Sequence, residues 1–410
     1  MVVLIWPSQS ELFDPWGYPP LGLLSIHTYL KAKGVESSIL NLAGIKEEEY
    51  NIPEADIFGI SITTPLYASA KKLVALLRAK YPESKIVIGG VHATVLPEQT
   101  YSDLKPDYLV SGDGEEALLR IALGKVPQGI VVGGNIDISN QPILDRSALK
   151  YPWVCTNTLH GAPEGKNSTT IITSRGCPFS CSFCCKYDKC KVRYRSPQQV
   201  FEELVQLKNV YNIEHVRFID DVFTLDKNRL LKICELIKPL NITWTSITRA
   251  DLVDAQMLVA MKEAGNTEMC FGVESGASKQ LKKMRKNEKP EDMIRAIKLA
   301  RDFGIKTKVF LLFGFPGENK ETVYETMEFM RLAKPDKYTM STFVPLPGSA
   351  VYDHPEKYNV KIVNKAWEEY WFYWDLGDKR GYFIEYPNAD EIYRLRDELK
   401  KFLTAGEWRK

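Results

Sequence analysis

Three cysteines stand in the run Arg175-Gly-Cys177-Pro-Phe-Ser-Cys181-Ser-Phe183-Cys184, spaced CxxxCxxC. Thiolates are the ligands that iron–sulfur clusters take, and spacing this close lets three converge from one loop on one cluster face. Three ligands rather than four would leave one iron open to an exogenous ligand. A structural zinc ion is the alternative, with Cys185 or Cys190 as fourth donor. Zinc sites prefer paired CxxC units, however, and no second pair or nearby histidine follows. Spacing and context favour iron–sulfur, with Cys185 and Cys190 as bystanders. Five of the eight cysteines fall between 177 and 190, which points to metal rather than a disulfide scaffold. Cys155, Cys234 and Cys270 read as buried small hydrophobes.

The elements that position this loop follow from the hydrophobic pattern. The chain has 410 residues and 44% apolar content, enough for two or three domains with a large core. Lys and Arg number 54 against 52 Asp and Glu, so the net charge of +2 gives no field for nucleic acid or an acidic membrane. No apolar run approaches a membrane span and no signal peptide is visible, so the expected location is the cytoplasm. Short apolar runs at Val2–Trp6, Ser37–Leu40, Ile57–Thr63, Ile86–Ile88 and Tyr108–Val110 alternate with helical patterns. That alternation predicts an α/β fold whose first domain, residues 1–140, is a doubly wound, Rossmann-like parallel sheet. Turn chemistry marks a linker over 141–165. From 166 to 345, Thr169–Thr173, Val216–Ile219, Ile242–Ile247, Glu268–Gly272, Lys308–Phe313 and Lys337–Phe343 read as six strands of βα units. Six is too few for a closed eight-stranded barrel, so an open, partial (β/α)6 barrel is expected. A short, helical C-terminal segment, 346–410, holds Trp367, Tyr370, Trp371, Phe372, Tyr373 and Trp374, expected mainly to pack.

With the strands in order, the cysteine loop resembles the signature of the radical S-adenosylmethionine (radical SAM) superfamily. The resemblance implies a [4Fe–4S] cluster on Cys177, Cys181 and Cys184, whose open iron binds the methionine moiety of SAM. Reductive cleavage then yields a 5′-deoxyadenosyl radical that abstracts hydrogen from substrate. Later strand ends match in order. The resemblance places Phe183 against the adenine, Asp220 and Asp221 at the methionine amino group, and Arg249 at its carboxylate. It makes Glu274 another SAM contact and sets the turn Gly314-Phe-Pro316-Gly317-Glu318 near the adenine. Taken singly, the aspartates could be helix caps and the glycine turn only a turn.

The first domain carries a second resemblance. Ser61-Ile-Thr63 ends one strand and Gly89-Gly90 the next, similar to the SxL…GG pattern of cobalamin-binding domains, with Thr63 in place of leucine. The companion DxHxxG motif is absent: the corresponding segment reads Asp14-Pro-Trp16-Gly-Tyr-Pro19. That departure, with Tyr18-Pro-Pro-Leu-Gly-Leu23, Gly89-Gly-Val91-His92-Ala-Thr94 and Gly112-Asp-Gly114-Glu115-Glu116 in order, resembles cobalamin-dependent (class B) radical SAM methyltransferases. The resemblance implies base-off cobalamin, used as methylcobalamin, without a histidine ligand. The loop Thr63-Thr64-Pro-Leu66-Tyr67 would cover its lower face, while Gly112 and Glu115 join the cofactor's contacts and His92 is packing or a tail contact.

The implied activity is methylation of an unactivated sp3 carbon, with a ferredoxin- or flavodoxin-type reductant. The substrate would be a peptide or protein side chain, such as glutamine or arginine of methyl-coenzyme M reductase, or a small molecule. A cobalamin-dependent rearrangement or oxidative cyclisation, and a non-catalytic cobalamin or SAM sensor, are the alternatives. A sensor would not need an open iron. Methylthiolation would call for a second cysteine-ligated cluster upstream, where Cys155 stands alone.

Overall fold

The computed structural model describes residues 1–8, 14–150, 153–185, 187, 191–364, 366–370 and 383–409. Cys190, Trp371, Phe372, Tyr373 and Trp374 lie outside them.

Fourteen strands are described: β1 Val2–Trp6, β2 Ser37–Asn41, β3 Ile57–Ser61, β4 Lys85–Gly89, β5 Tyr108–Ser111, β6 Gly129–Val132, β7 Ser168–Ile171, β8 Ser174–Arg175, β9 Arg193–Tyr194, β10 His215–Phe218, β11 Thr243–Thr248, β12 Asn266–Glu274, β13 Lys306–Phe313 and β14 Lys337–Thr342. The first six form a parallel sheet in the order β2-β1-β3-β4-β5-β6. Helices cover both faces, which is why β1 is a continuous apolar run with Val2 to Ile5 all buried. The topological switch point falls between β1 and β3, and ligands of such sheets bind beyond the carboxyl ends there.

β6 was not foreseen; its residues fell where the sequence pattern dissolves. It is a short edge strand with Ile130 40% and Val132 75% exposed, so no strong apolar alternation marks it.

The second sheet runs β7-β10-β11-β12-β13-β14, entirely parallel and in chain order. This is the open six-stranded partial barrel. Alternation along its strands separates two faces. Val216, Phe218, Trp244, Met269, Phe271, Val309 and Leu311 face outward into one apolar core beneath the helices. The inward face is more polar. The helix Pro197–Tyr211 begins at a capping box made by Ser196 and Gln199, and Lys320–Ala333 at one made by Asn319 and Thr322. The C-terminal helix Ala389–Thr404 adds Ile392, Leu395, Leu399 and Phe402 to the same core.

Ion pairs tie the linker to the barrel. Arg146 reaches Glu203 at 3.0 Å with both side chains fully buried, and Arg195 closes the triad from the other oxygen. Between the domains, His160 Nε2 contacts Gly17 O at 2.7 Å and Asn157 donates to Asp14 at 2.8 Å.

Candidate active site

The cysteine loop leaves the barrel at the carboxyl end of β7. Asp220, at the end of β10, is 1% exposed and accepts from Thr173 N at 2.6 Å, Thr173 Oγ1 at 2.5 Å and Ser174 Oγ at 2.7 Å. The antiparallel ribbon β8–β9 then clamps the loop's two ends. Its middle is held from both sides, by Ser182 N on Met284 O at 2.8 Å and Val351 N on Ser182 O at 3.2 Å. Cys181 is buried, Cys177 half-buried and Cys184 exposed. A hydrogen bond from Cys184 pulls the Cys181 thiol down to about 6; burial opposes this, and Lys286 and Arg249 reinforce it. Burial raises Cys177, and the Asp221 charge adds to that. Among the described residues no group of three or more His, Cys, Asp or Glu is arranged around a single ion.

The carboxylate of Asp220, expected at the methionine amino group, is engaged by Thr173 and Ser174 and so shapes the loop. Asp221, exposed beside Cys177, is the carboxylate of the pair that faces the loop.

Arg249, after β11, has its guanidinium 3.8 Å from the centroid of Phe179 in the cysteine loop. It grips Asp251 through Nε at 3.0 Å and Nη2 at 2.8 Å, and Nη2 also donates to Lys286 O. Nη1 is buried and makes no hydrogen bond, although Glu288 Oε2 lies 3.5 Å away. Such a donor fits an incoming carboxylate. Glu274 closes β12 at φ 66°, where pairing to β13 slips by one residue. Burial lifts its carboxyl to about 7, against the pull of Lys286.

Phe183 and Phe315 meet edge to face at 6.5 Å. The turn after β13 has Gly314 at φ 82° and Gly317 at φ 92°, and a Cβ on Gly317 would sit 2.5 Å from Lys283 Nζ. Pro316 lies between them. Glu318 stitches the turn by accepting from Gly314 N at 3.2 Å and Thr322 Oγ1 at 2.5 Å.

In the first domain a cleft of about 1310 Å³ opens at the carboxyl end of the sheet. Leu4, Gly59, Val87 and Val110 floor it, and the helices Leu21–Ala32 and Gly114–Ala122 wall it with Ile26 and Leu118. Ser61, Gly89, Gly90, Val91, Gly112 and Glu115 all line it. Gly90 has φ 99°, and a Cβ there would lie 2.5 Å from Ile62 O. Gly112, at φ 104°, would place a Cβ 2.8 Å from Gly133 O. These glycines let the strand ends pack directly against the backbone of Ile62 and Gly133. An apolar slot floored by a sheet and rimmed by glycines suits the flat tail of cobalamin.

The loop after β3 behaves differently. Leu66 borders a second opening at the switch point with Ser8, Gly44 and Pro65, while the half-buried Thr63 precedes it. Thr64, Tyr67 and His92 pack together behind the strand ends instead. His92 Nδ1 lies 3.1 Å from Thr64 Oγ1, its ring is 4.7 Å from Tyr67 and 5.4 Å from Trp367, and burial lowers it to about 4. Tyr67 OH donates to Asp103 at 2.7 Å. Thr64 and Tyr67, expected over the lower face of cobalamin, and His92, expected as packing or a tail contact, thus pack together and hold Trp367 of the C-terminal segment.

Arg175 was missed as a functional residue. It lines the cleft two residues before Cys177 and reaches Glu115 at 2.6 Å, Asp113 at 3.1 Å and Ser25 at 3.0 Å. Its only signal in the sequence was adjacency to the cysteines.

A Rossmann-like sheet facing a partial barrel, with a three-thiol loop at their junction, defines a two-domain metalloenzyme architecture. The Radical SAM superfamily model matches residues 171–330 and the B12 binding domain model residues 17–122. An uncharacterized methyltransferase of Pyrococcus horikoshii is 30% identical over 401 residues, covering 90% of this chain and 86% of its own. The anaerobic magnesium-protoporphyrin IX monomethyl ester cyclase of Rubrivivax gelatinosus is 26% identical, covering 98% and 81%. Among solved structures, the radical SAM methyltransferase TsrM of Kitasatospora setae superposes with a TM-score of 0.72 at 15% identity, covering 98% of this chain and 88% of that one. The chain belongs to the radical SAM superfamily, in the cobalamin-dependent branch with methyltransferases among its members, and is an enzyme. Family and site together support a [4Fe–4S] cluster, SAM and cobalamin as its cofactors.

Proposed function

We propose that this enzyme is a C-methyltransferase acting on an unactivated sp3 carbon. The observation that carries the reading is the junction itself: Ser174 and Arg175 of the cysteine loop line the same cleft as Gly89, Gly90 and Gly112. When bound, the cluster with SAM supplies a hydrogen-abstracting organic radical, and cobalamin supplies a transferable methyl group.

The protein's own part is positioning. Cys177, Cys181 and Cys184 would hold the cluster. Arg249 Nη1 would orient the SAM carboxylate, and Asp221 its ammonium. Phe183 and the Gly314–Gly317 turn would border the adenine. The glycine-rimmed cleft would take the cobalamin tail, with Leu66 near the switch point.

Histidine geometry supports cobalamin without a protein nitrogen ligand. None of the five histidines lines either opening. His27 bonds Ser37, His92 is packed against Tyr67, His160 and His215 sit at the base of the barrel, and His354 neighbours Glu356. Electrons would come from a ferredoxin- or flavodoxin-type donor.

The cyclase relatives favour one second reading, oxidative ring closure on the same frame. Reconstituted enzyme given SAM labelled in its methyl group and a reductant separates the two. Transfer of the label to carbon, with 5′-deoxyadenosine formed alongside, supports methylation. A dehydrogenated or cyclised product free of label overturns it.

A further inference from the structure

The inward face of the barrel is neither apolar nor filled. A loop closes its base: Gly161 lies against Thr245 and Glu268, and His215 Nε2 contacts His160 O at 3.2 Å. Above this floor, Arg217, Ile247, Gly272, Lys308, Phe310 and Thr339 are only partly buried. Side chains therefore leave space there, whereas closed barrels are packed solid.

Two cations face that space without an ion-pair partner among the described residues. Arg217 makes one hydrogen bond among those residues, a long contact to Leu159 O at 3.4 Å. Lys308 stands 5.5 Å from the ring centroid of Phe310 and, among the described residues, has no ion-pair partner. The two act on each other and on the same Cys270 thiol, which register sets beside Lys308. Glu268, the acidic group nearby, is taken by Lys337 at 2.7 Å. Burial and the Arg217 charge both weaken Lys308's hold on its proton. Two partly buried cations with no ion pair of their own favour an arriving anion.

A further observation points the same way. Thr170 is 0% exposed, and its Oγ1 has no hydrogen-bond partner. Thr169 and Ile171 on either side face outward, and Thr170 is in register with Arg217. Thr170 thus lies on the lumen face, its Cα paired with that of Arg217. Gly272, one inward position above Cys270, lies against Glu274 and Lys286, where a Cβ would meet Glu274 Oε1 at 2.9 Å and Lys286 Nζ at 3.4 Å, and these two border the cysteine loop.

We propose that the lumen binds an acidic group of the substrate, a carboxylate or a phosphate-type oxyanion, between Arg217 and Lys308 with Thr170 Oγ1 as a third donor. This rests on the methyltransferase reading and narrows its substrate to acidic molecules. The anion is held deep in the barrel and the reacting carbon lies nearer the cysteine loop. An arginine side chain has the wrong charge for such a lumen.

The test is calorimetric titration of the holoenzyme with cluster, cobalamin and SAM in place, so that their own anion contacts are filled. Inorganic phosphate is one arm and glutarate the other, which separates the two oxyanion classes. One site per chain is expected for at least one probe. Arg217→Gln and Lys308→Met should each weaken it about tenfold or more, as loss of a charge-assisted contact does, while Lys308→Arg restores it. Saturable binding of neither probe, or unchanged affinity in both charge-removing variants, overturns the proposal. Should Arg217→Gln fail to fold, the contrast between Lys308→Met and Lys308→Arg decides alone. Cobalamin retention and cluster absorbance are read separately. If wild type retains no cobalamin, the methyltransferase reading fails, and titration of the chain as purified still tests the lumen.

Discussion

Arg175 Nη2 lies 2.6 Å from Glu115 Oε1, joining the residue two places before the first cluster cysteine to the helix that walls the cobalamin cleft. Asp113 adds a second carboxylate at 3.1 Å, and Arg193 of the paired strand shares Asp113. The two cofactor sites thus share one ion-pair network.

Removing Arg175 should therefore damage both sites. Arg175→Gln leaves Glu115 buried without its partner, which costs about 3–5 kcal/mol when such pairs are broken. Urea unfolding should show a loss of that order, and the folded fraction should retain less cobalamin after desalting. Glu115→Gln should reproduce the cofactor defect.

Gly90→Ala should strike the cleft alone. A Cβ at φ 99° meets Ile62 O at 2.5 Å, so the strand end must move. The backbone at φ 99°, ψ −176° is essentially confined to glycine and adds about 1–3 kcal/mol for a residue with a side chain. Cobalamin retention should fall while cluster absorbance per chain stays at the wild-type level.

The cysteines should divide cleanly. Alanine at Cys177, Cys181 or Cys184 should abolish the cluster's visible absorbance and its iron content. Cys185→Ala should leave both intact; burial drives that thiol up to about 12, which disfavours the thiolate a metal needs.

Acid should act through Glu203. Burial alone would raise its carboxyl, but Arg195 and Arg146 override it and hold the group below the usual value. A depressed folded-state value means full stabilisation above about pH 4.3, the unfolded value, and its loss as pH falls further. Glu203→Gln should lower the free energy of unfolding at pH 7 by about 3–5 kcal/mol, as for a broken buried pair. The gap between variant and wild type should narrow below pH 4.

How far the sequence revealed this site depended on distance along the chain. The cysteine loop, Arg249 and the glycine strand ends were legible because each is a local pattern at the end of a strongly apolar strand. The Arg175–Glu115 contact joins residues 60 positions apart, and nothing local encodes it. Asp220 was legible as a strand-end carboxylate, but its bonds to Thr173 and Ser174 were not, because those residues reach it only once β7 and β10 pair. His92 sits beside the glycine pair in sequence, yet the short helix Val91–Val95 turns it into the core. β6 escaped because half-exposed edge strands lack alternation.

The most direct test of the account is cobalamin retention. The protein is reconstituted anaerobically with iron, sulfide and hydroxocobalamin, desalted, reduced, and examined by electron paramagnetic resonance. The account predicts one cobalamin per chain beside a loaded cluster, with a cob(II)alamin signal free of nitrogen superhyperfine splitting. Failure to retain cobalamin while the cluster forms, or a split signal from a nitrogen ligand, would contradict it.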